Sequence, residues 1–248
     1  QAKDKVMMGA ERRSMVLTAD QKEKTAYHEA GHAIVGMNMP KCDPVYKATI
    51  IPRGGALGMV VSLPEMDRLQ MHKDEAKQRI AMTMAGKAAE IIKYGEEGVS
   101  SGPVGDIQQA SGLARAMVMR WGMSDTVGNI DYAEAHEGYQ GNTAGFSVSA
   151  DTKTLIESEV KRLIDEGYET ARRVLLEKAD DFERLAKGLL EYETLTGDEI
   201  RRVIAGETLG NDDDADKPAS GGGTPSIAAI PKTKPKAPKG GMEPEPTV

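Results

Sequence analysis

The 248-residue chain is 39 % hydrophobic, enough for a core and for one or two domains. No apolar run approaches the ~20 residues needed to cross a bilayer and no signal peptide precedes the first polar segment, so this piece is expected to be soluble. A net charge of −7 with dispersed basic residues excludes the electrostatic footprint of a nucleic-acid binder.

The single cysteine, Cys42, rules out an internal disulfide framework and reads as a small buried or loop residue in a reducing compartment. Residues 1–17 carry no initiator methionine and are highly charged (Lys3, Asp4, Lys5, Glu11, Arg12, Arg13). They read as the end of something longer, a linker ahead of an excised domain.

Thr18-Ala19-Asp20-Gln21 has the form of a capping box, so a helix should start there. Ala26, Ala30, Ala33, Ile34 and Met37 form one apolar stripe at helical spacing, with His28, His32, Val35 and Met39 on another. Pro40 ends the run. Gly31 in mid-helix costs about 1 kcal/mol against alanine, which points to a close neighbour there.

This helix carries His28-Glu29-Ala30-Gly31-His32. Two histidines at i and i+4 share a helix face, roughly 5–6 Å apart at Cβ, and one metal ion can bridge them. A catalytic zinc site typically has three protein ligands and leaves a fourth position to water. Glu29, about 100° round the helix from His28, is off the ligand face but placed to take a proton from that water. The bland alternative is a pair of polar residues on a solvated face. The chain has only four histidines, and a pair at ligand spacing around a glutamate favours the metal.

Val45 to Ile51, between Pro44 and Pro52, reads as a strand. Gly54-Gly55 makes a turn, and Leu57 to Leu63 is a second candidate strand. Such a β element could accept a peptide as an added strand, or be an ordinary hairpin packed on helices; both stay open. Helices are expected over 74–94, stopped by Gly95, and from Asp106 through Leu113, Met117, Val118 and Trp121 to Gly122. Between them lies a loop of small residues, Gly98 to Gly105.

The stretch from Asp125 to Ala150 reads as a long loop or weak hairpin. Further helices are expected over 152–178 and 180–192, and Thr196-Gly197-Asp198-Glu199 caps a short one that Gly206 ends. Residues 210–248, acidic and then rich in Gly, Pro and Lys, cannot bury enough apolar surface to offset ordering entropy and are expected to be disordered.

The third ligand is open at this level. The metzincin extension would need Gly at position 35 and His at position 38, where the chain has Val35 and Asn38. His72, near a helix start, and His136, in the Gly/Asn-rich stretch, read as surface residues. An acidic ligand is left, to be chosen among 39 carboxylates.

The chain resembles the FtsH-type AAA metalloproteases, which are ATP-dependent, membrane-bound zinc proteases. The resemblance rests on residues 25–33, on Asp43-Pro44-Val45 and on Thr49 through Gly54. Ala56-Leu57-Gly58, Leu63-Pro64-Glu65, Met84 through Glu90 and Trp121-Gly122-Met123-Ser124 continue it, so that it covers nearly everything from about residue 10 to residue 206. It implies a mainly α fold, a helical zinc peptidase domain with a small β element, over 18–209. It also implies a third ligand at Asp106, in Ser101-Gly102-Pro103-Val104-Gly105-Asp106, which would otherwise read as an N-cap. Gly105 stands where the family commonly has Asn, and Tyr46 where a histidine is common, departures that bear on hydrogen bonding around the metal.

The implied chemistry is zinc-assisted hydrolysis of peptide bonds, with one Zn²⁺ per chain on His28, His32 and Asp106, and Glu29 as general base. The resemblance further implies a homo-hexamer that degrades unfolded or misassembled membrane and cytosolic proteins. ATP and the membrane would act only through upstream segments, since the sequence has no GxxxxGK[ST] phosphate loop. The full-length protein would sit in a bacterial inner membrane, its peptidase domain on the cytoplasmic side. Two rival readings are an ATP-independent zinc peptidase of another gluzincin-like type and a non-enzymatic helical oligomerisation module.

Overall fold

The computed structural model describes residues 8, 9, 11, 12, 17–64, 70–132 and 148–209. Contacts divide the chain into 1–209 and 210–248, and the expected disordered tail lies outside the described residues, as does His136.

Helix α1, Ala19–Met37, begins at the expected capping box: Gln21 N–H donates to Thr18 Oγ1 at 3.2 Å, and Thr18 N–H donates back to Gln21 Oε1 at 3.0 Å. Such a cap stabilises a helix by about 1 kcal/mol. It ends at Met37, where the Asn38 side chain donates to the Ile34 carbonyl. The helix is not divided into two stripes as expected. From Thr25 to Gly36 every residue but His28 is buried, because other elements pack around α1 on several sides.

One neighbour is α2, Lys73–Tyr94, which starts after the exposed His72 and stops at Gly95, φ +77°. The two helices cross at Gly31. A Cβ there would lie 2.6 Å from Ala89 Cβ and 2.8 Å from the Ala85 carbonyl oxygen, so glycine on α1 and alanines on α2 let the backbones meet.

A three-stranded antiparallel sheet, β2-β1-β3, is made by β1 (Val45–Thr49), β2 (Met59–Ser62) and β3 (Thr194–Thr196). β1 is two residues shorter than expected because the Ile51 amide donates to the Thr49 side chain instead of a ladder partner. β2 starts at Met59 because the backbone at Gly58 packs against α1. β3 was not anticipated; at three residues it is too short to show a period, and only its pairing with β1 defines it.

Helix α3, Val104–Met119, opens two residues before Asp106, so Asp106 is not its N-cap. Trp121, expected on this helix, lies past its end and is 44 % exposed. Residues 125–132 form neither helix nor strand, 133–147 lie outside the described residues, and Ala150 is already helical. Helix α4, Ala150–Glu177, is capped by Ser149, whose Oγ accepts from the Thr152 amide; α5, Ala179–Tyr192, follows after one residue. Helix α6, Gly197–Ile204, has the second expected capping box, on Thr196 and Glu199.

The fold is thus mainly helical with a small sheet, as expected. Two apolar clusters hold it: one joins α1, the sheet, α5 and α6, the other α2, α3 and α4. α2 belongs to both, through Ala85-Ala88-Ala89 and through Ala76-Ile80-Met84, and so does α4, through Ala171-Val174-Leu175 and through Ile156-Leu163. The candidate site therefore lies where the central helices α1 and α2 meet the start of α3.

Candidate metal centre and active site

His28 and His32 project from α1 with their Nε2 atoms 3.1 Å apart. The first turn of α3 brings in Asp106, whose Oδ2 lies 3.2 Å from His28 Nε2 and 3.4 Å from His32 Nε2. Among the described residues these three form the one group of His, Cys, Asp and Glu disposed to hold a metal ion.

Three observations bear on whether a cation fits. Each Nδ1 already has an acceptor: His28 Nδ1–H donates to Glu90 Oε1 at 2.9 Å, and His32 Nδ1–H donates to the Met82 carbonyl at 2.8 Å. With Nδ1 protonated, both Nε2 lone pairs turn toward Asp106. Asp106 Oδ2 is buried and accepts no hydrogen bond, although it sits within ion-pair reach of both rings. Three lone-pair donors facing one point call for a cation. The spacings also suit one, since a tetrahedron with metal–ligand distances of about 2.0–2.1 Å has edges of roughly 3.3–3.4 Å.

Burial disfavours charge on His28, but the carboxylates of Asp106 and Glu90 outweigh it and push its pKa up to about 10. A proton and a metal ion compete for the same Nε2 lone pair, so the field that favours one favours the other. Asp106, despite its burial, is held well below the ordinary carboxylate range by the two imidazoles.

Glu29 stands between the histidines on α1, 5 % exposed, and burial raises its carboxyl pKa. Its carboxylate makes no hydrogen bond among the described residues and is held by packing: a Cβ at Gly58 would lie 2.7 Å from Glu29 Oε1. On the other side, a Cβ at Gly86 of α2 would lie 2.4 Å from His28 Cε1 and 2.6 Å from His32 Nε2. Two glycines thus let backbone approach the group from two directions.

The residues the sequence reading did not assign are those that orient the two imidazoles. Glu90, 2 % exposed, bonds His28 through Oε1 and accepts the Ser100 amide through Oε2, linking the ring to the loop before α3. A glutamate among alanines on a helix face that must be buried was the available signal. Gly105 lines the cleft beside Asp106 but is exposed, with open space around it and no side chain to offer, while Tyr46 is not among the cleft's lining residues.

The group opens into a cleft of about 1210 Å³, lined on one wall by Leu57, Met59 and Val60 and on the other by Val104 and Gln109. β2 is the edge strand on the cleft side of the sheet.

A helix bearing two histidines and a glutamate, crossed by a second helix and completed by an aspartate from a third, is the architecture of a metallopeptidase. Residues 15–203 match Peptidase family M41, and the chain belongs to that family as an FtsH-type peptidase domain. It is 52 % identical over 209 residues to the ATP-dependent zinc metalloprotease FtsH of Caulobacter vibrioides, covering 83 % of this chain and 33 % of that one. The FtsH of Rickettsia bellii is 46 % identical over 219 residues, 88 % of this chain and 34 % of that protein. The yeast mitochondrial inner membrane i-AAA protease supercomplex subunit YME1 is 45 % identical over 208 residues, 84 % and 27 % respectively. The chain spans about a third of the length of these FtsH relatives. No helix among the described residues is long and apolar enough to cross a membrane.

Proposed function

We propose that the chain hydrolyses peptide bonds of unfolded proteins at one zinc ion held by His28, His32 and Asp106, with Glu29 as general base. The observation that carries this is Asp106: a buried carboxylate oxygen without a hydrogen bond, aimed at two imidazole lone pairs from 74 residues along the chain. Zinc in such a site lowers the pKa of its water toward about 7 and polarises a carbonyl. The chain's own groups do the rest.

Glu29, kept from bulk water and set beside the ligands, takes the proton of the attacking water and passes it to the leaving amine; its raised pKa suits both halves of that exchange. Glu90 and the Met82 carbonyl hold the rings in the tautomer whose Nε2 is free. The edge of β2 offers main-chain hydrogen bonds to an extended peptide, a mode that selects for unfolded chain more than for particular side chains.

For the whole protein, the relatives' names support ATP-dependent proteolysis; misassembled or unfolded membrane and cytosolic proteins as its substrates are what the family resemblance implies. In this reading residues 1–17 link to an upstream ATPase module, 18–209 are the peptidase domain, and 210–248 are a Pro/Lys/Gly-rich tail. The assembly is a homo-hexamer anchored by upstream segments in a bacterial inner membrane, with this domain on the cytoplasmic side.

The test is Glu29→Gln. The variant should keep a full complement of zinc and lose hydrolysis of casein; undiminished hydrolysis would remove Glu29 as the base.

A further inference from the structure

Arg53 is a buried cation that the proposed chemistry does not use. It is 6 % exposed, in the turn between β1 and β2, and its guanidinium reaches the segment before α1: Nη2 lies 2.6 Å from Glu11 Oε1, and Nη1 donates to the Gly9 carbonyl at 3.1 Å. The segment answers with bonds of its own. Arg12 N–H donates to the Pro52 carbonyl and Arg12 Nη1 to the Gly54 carbonyl, each at 2.8 Å. Arg53 and Ala56 exchange both backbone hydrogen bonds at 3.0 Å, which closes the turn. Two residues past Ala56 the chain reaches Gly58, whose backbone packs on Glu29 and on Thr25 Cγ2. Glu29 has no hydrogen bond among the described residues to fix its carboxylate, so this wall sets where it points.

We infer that Arg53 is a positioning residue for Glu29: by tying Gly9 and Glu11 to the 52–56 turn, it fixes the Gly58 wall against which the general base is packed. The inference rests on Glu29 being the base. Because the tie touches none of the three candidate zinc ligands, loosening it should leave zinc binding alone while degrading alignment, and a misplacement of about 1 Å can cost roughly 100-fold in rate. Removing one partner of a buried ion pair also destabilises, so a mild variant is needed beside a severe one.

The experiment compares Arg53→Met, Glu11→Gln and Arg53→Lys in the full chain. Casein hydrolysis gives kcat and KM, elemental analysis gives zinc per chain, and hydrogen exchange gives protection of the 56–60 amides with and without zinc. Arg53→Met and Glu11→Gln should speed exchange at 56–60 in both metal states. They should lower kcat, by roughly tenfold or more for Arg53→Met, at unchanged zinc content and with a smaller change in KM. Arg53→Lys should recover part of the rate. If Arg53→Met does not fold, Glu11→Gln carries the same comparison. Faster exchange with unchanged kcat makes the tie merely structural and overturns the inference, as does a raised KM at unchanged kcat. Full activity in Glu29→Gln would overturn the base assignment; an inactive Glu29→Gln beside fully active Arg53 and Glu11 variants overturns the positioning role alone.

Discussion

Nδ1 of His28 lies 2.9 Å from Oε1 of Glu90, a carboxylate 2 % exposed on the neighbouring helix. The contact fixes which ring nitrogen carries the proton and makes the other a better donor. Glu90→Gln keeps the shape but weakens the acceptor and can present an amide N–H in its place. Zinc affinity should fall about 10- to 100-fold with the fold retained, as measured by chelator competition and circular dichroism. Unaltered affinity would show that the ring needs no such partner.

Gly86 is where α2 passes the two imidazoles. Gly86→Ala would put a methyl 2.4 Å from His28 Cε1, displacing a ring already tied at its far side. The expected cost is about 1–3 kcal/mol in denaturant unfolding, together with a loss of bound zinc. Gly112→Ala, on the exposed side of α3 with open space around it, should instead stabilise by roughly 0.5–1 kcal/mol. Equal effects at the two sites would contradict this reading of the crossing.

Asp106→Ala removes the proposed ligand that comes from outside α1. Two histidines would remain, and zinc should no longer survive dialysis against a weak chelator. A full zinc content after that treatment would point to a different third ligand.

Glu159 of α4 is buried at 7 % exposure, accepting from Ser124 Oγ at 2.7 Å and from Arg162 at 2.9 and 3.0 Å. Arg162 first, then Ser124, hold its carboxyl below the ordinary 4.5. A pKa lowered in the folded state adds stability that is present above 4.5 and lost as pH falls through the folded value. Glu159→Gln should therefore be less stable than the parent at neutral pH, with a gap that narrows on acidification below 4.5. Urea titrations across that range would reveal it, and a gap independent of pH would refute it.

Deletion of residues 210–248 should leave both casein hydrolysis and the thermal midpoint of the remainder unchanged. The stretch has too little apolar content to contribute to a core. A large loss of either property would assign the tail a folded role.

Local chemistry was legible from the residues. The capping boxes at Thr18 and Thr196, the glycine stop at Gly95 and the long helical runs depend on neighbours within a turn or two, and they stand where the sequence places them. The spacing of His28, Glu29 and His32 likewise follows from helix geometry alone. The boundaries that moved are those where the chain meets another element: Ile51 turning to Thr49, Gly58 against Glu29, and α3 beginning before Asp106.

Burial all round α1 was not legible either, because which faces of a helix are covered depends on how many elements pack on it. The sequence by itself determined two imidazoles and a carboxylate on one helix, and family resemblance pointed to Asp106. Only the tertiary structure decided that Asp106 meets both Nε2 atoms, that Glu90 and Met82 hold the Nδ1 sides, and that Gly58 and Gly86 close in on the group. The physical reason is range: hydrogen bonds within a helical turn are encoded by adjacent residues, whereas the approach of α2 and α3 to α1 is a sum of packing contacts distributed over the whole domain.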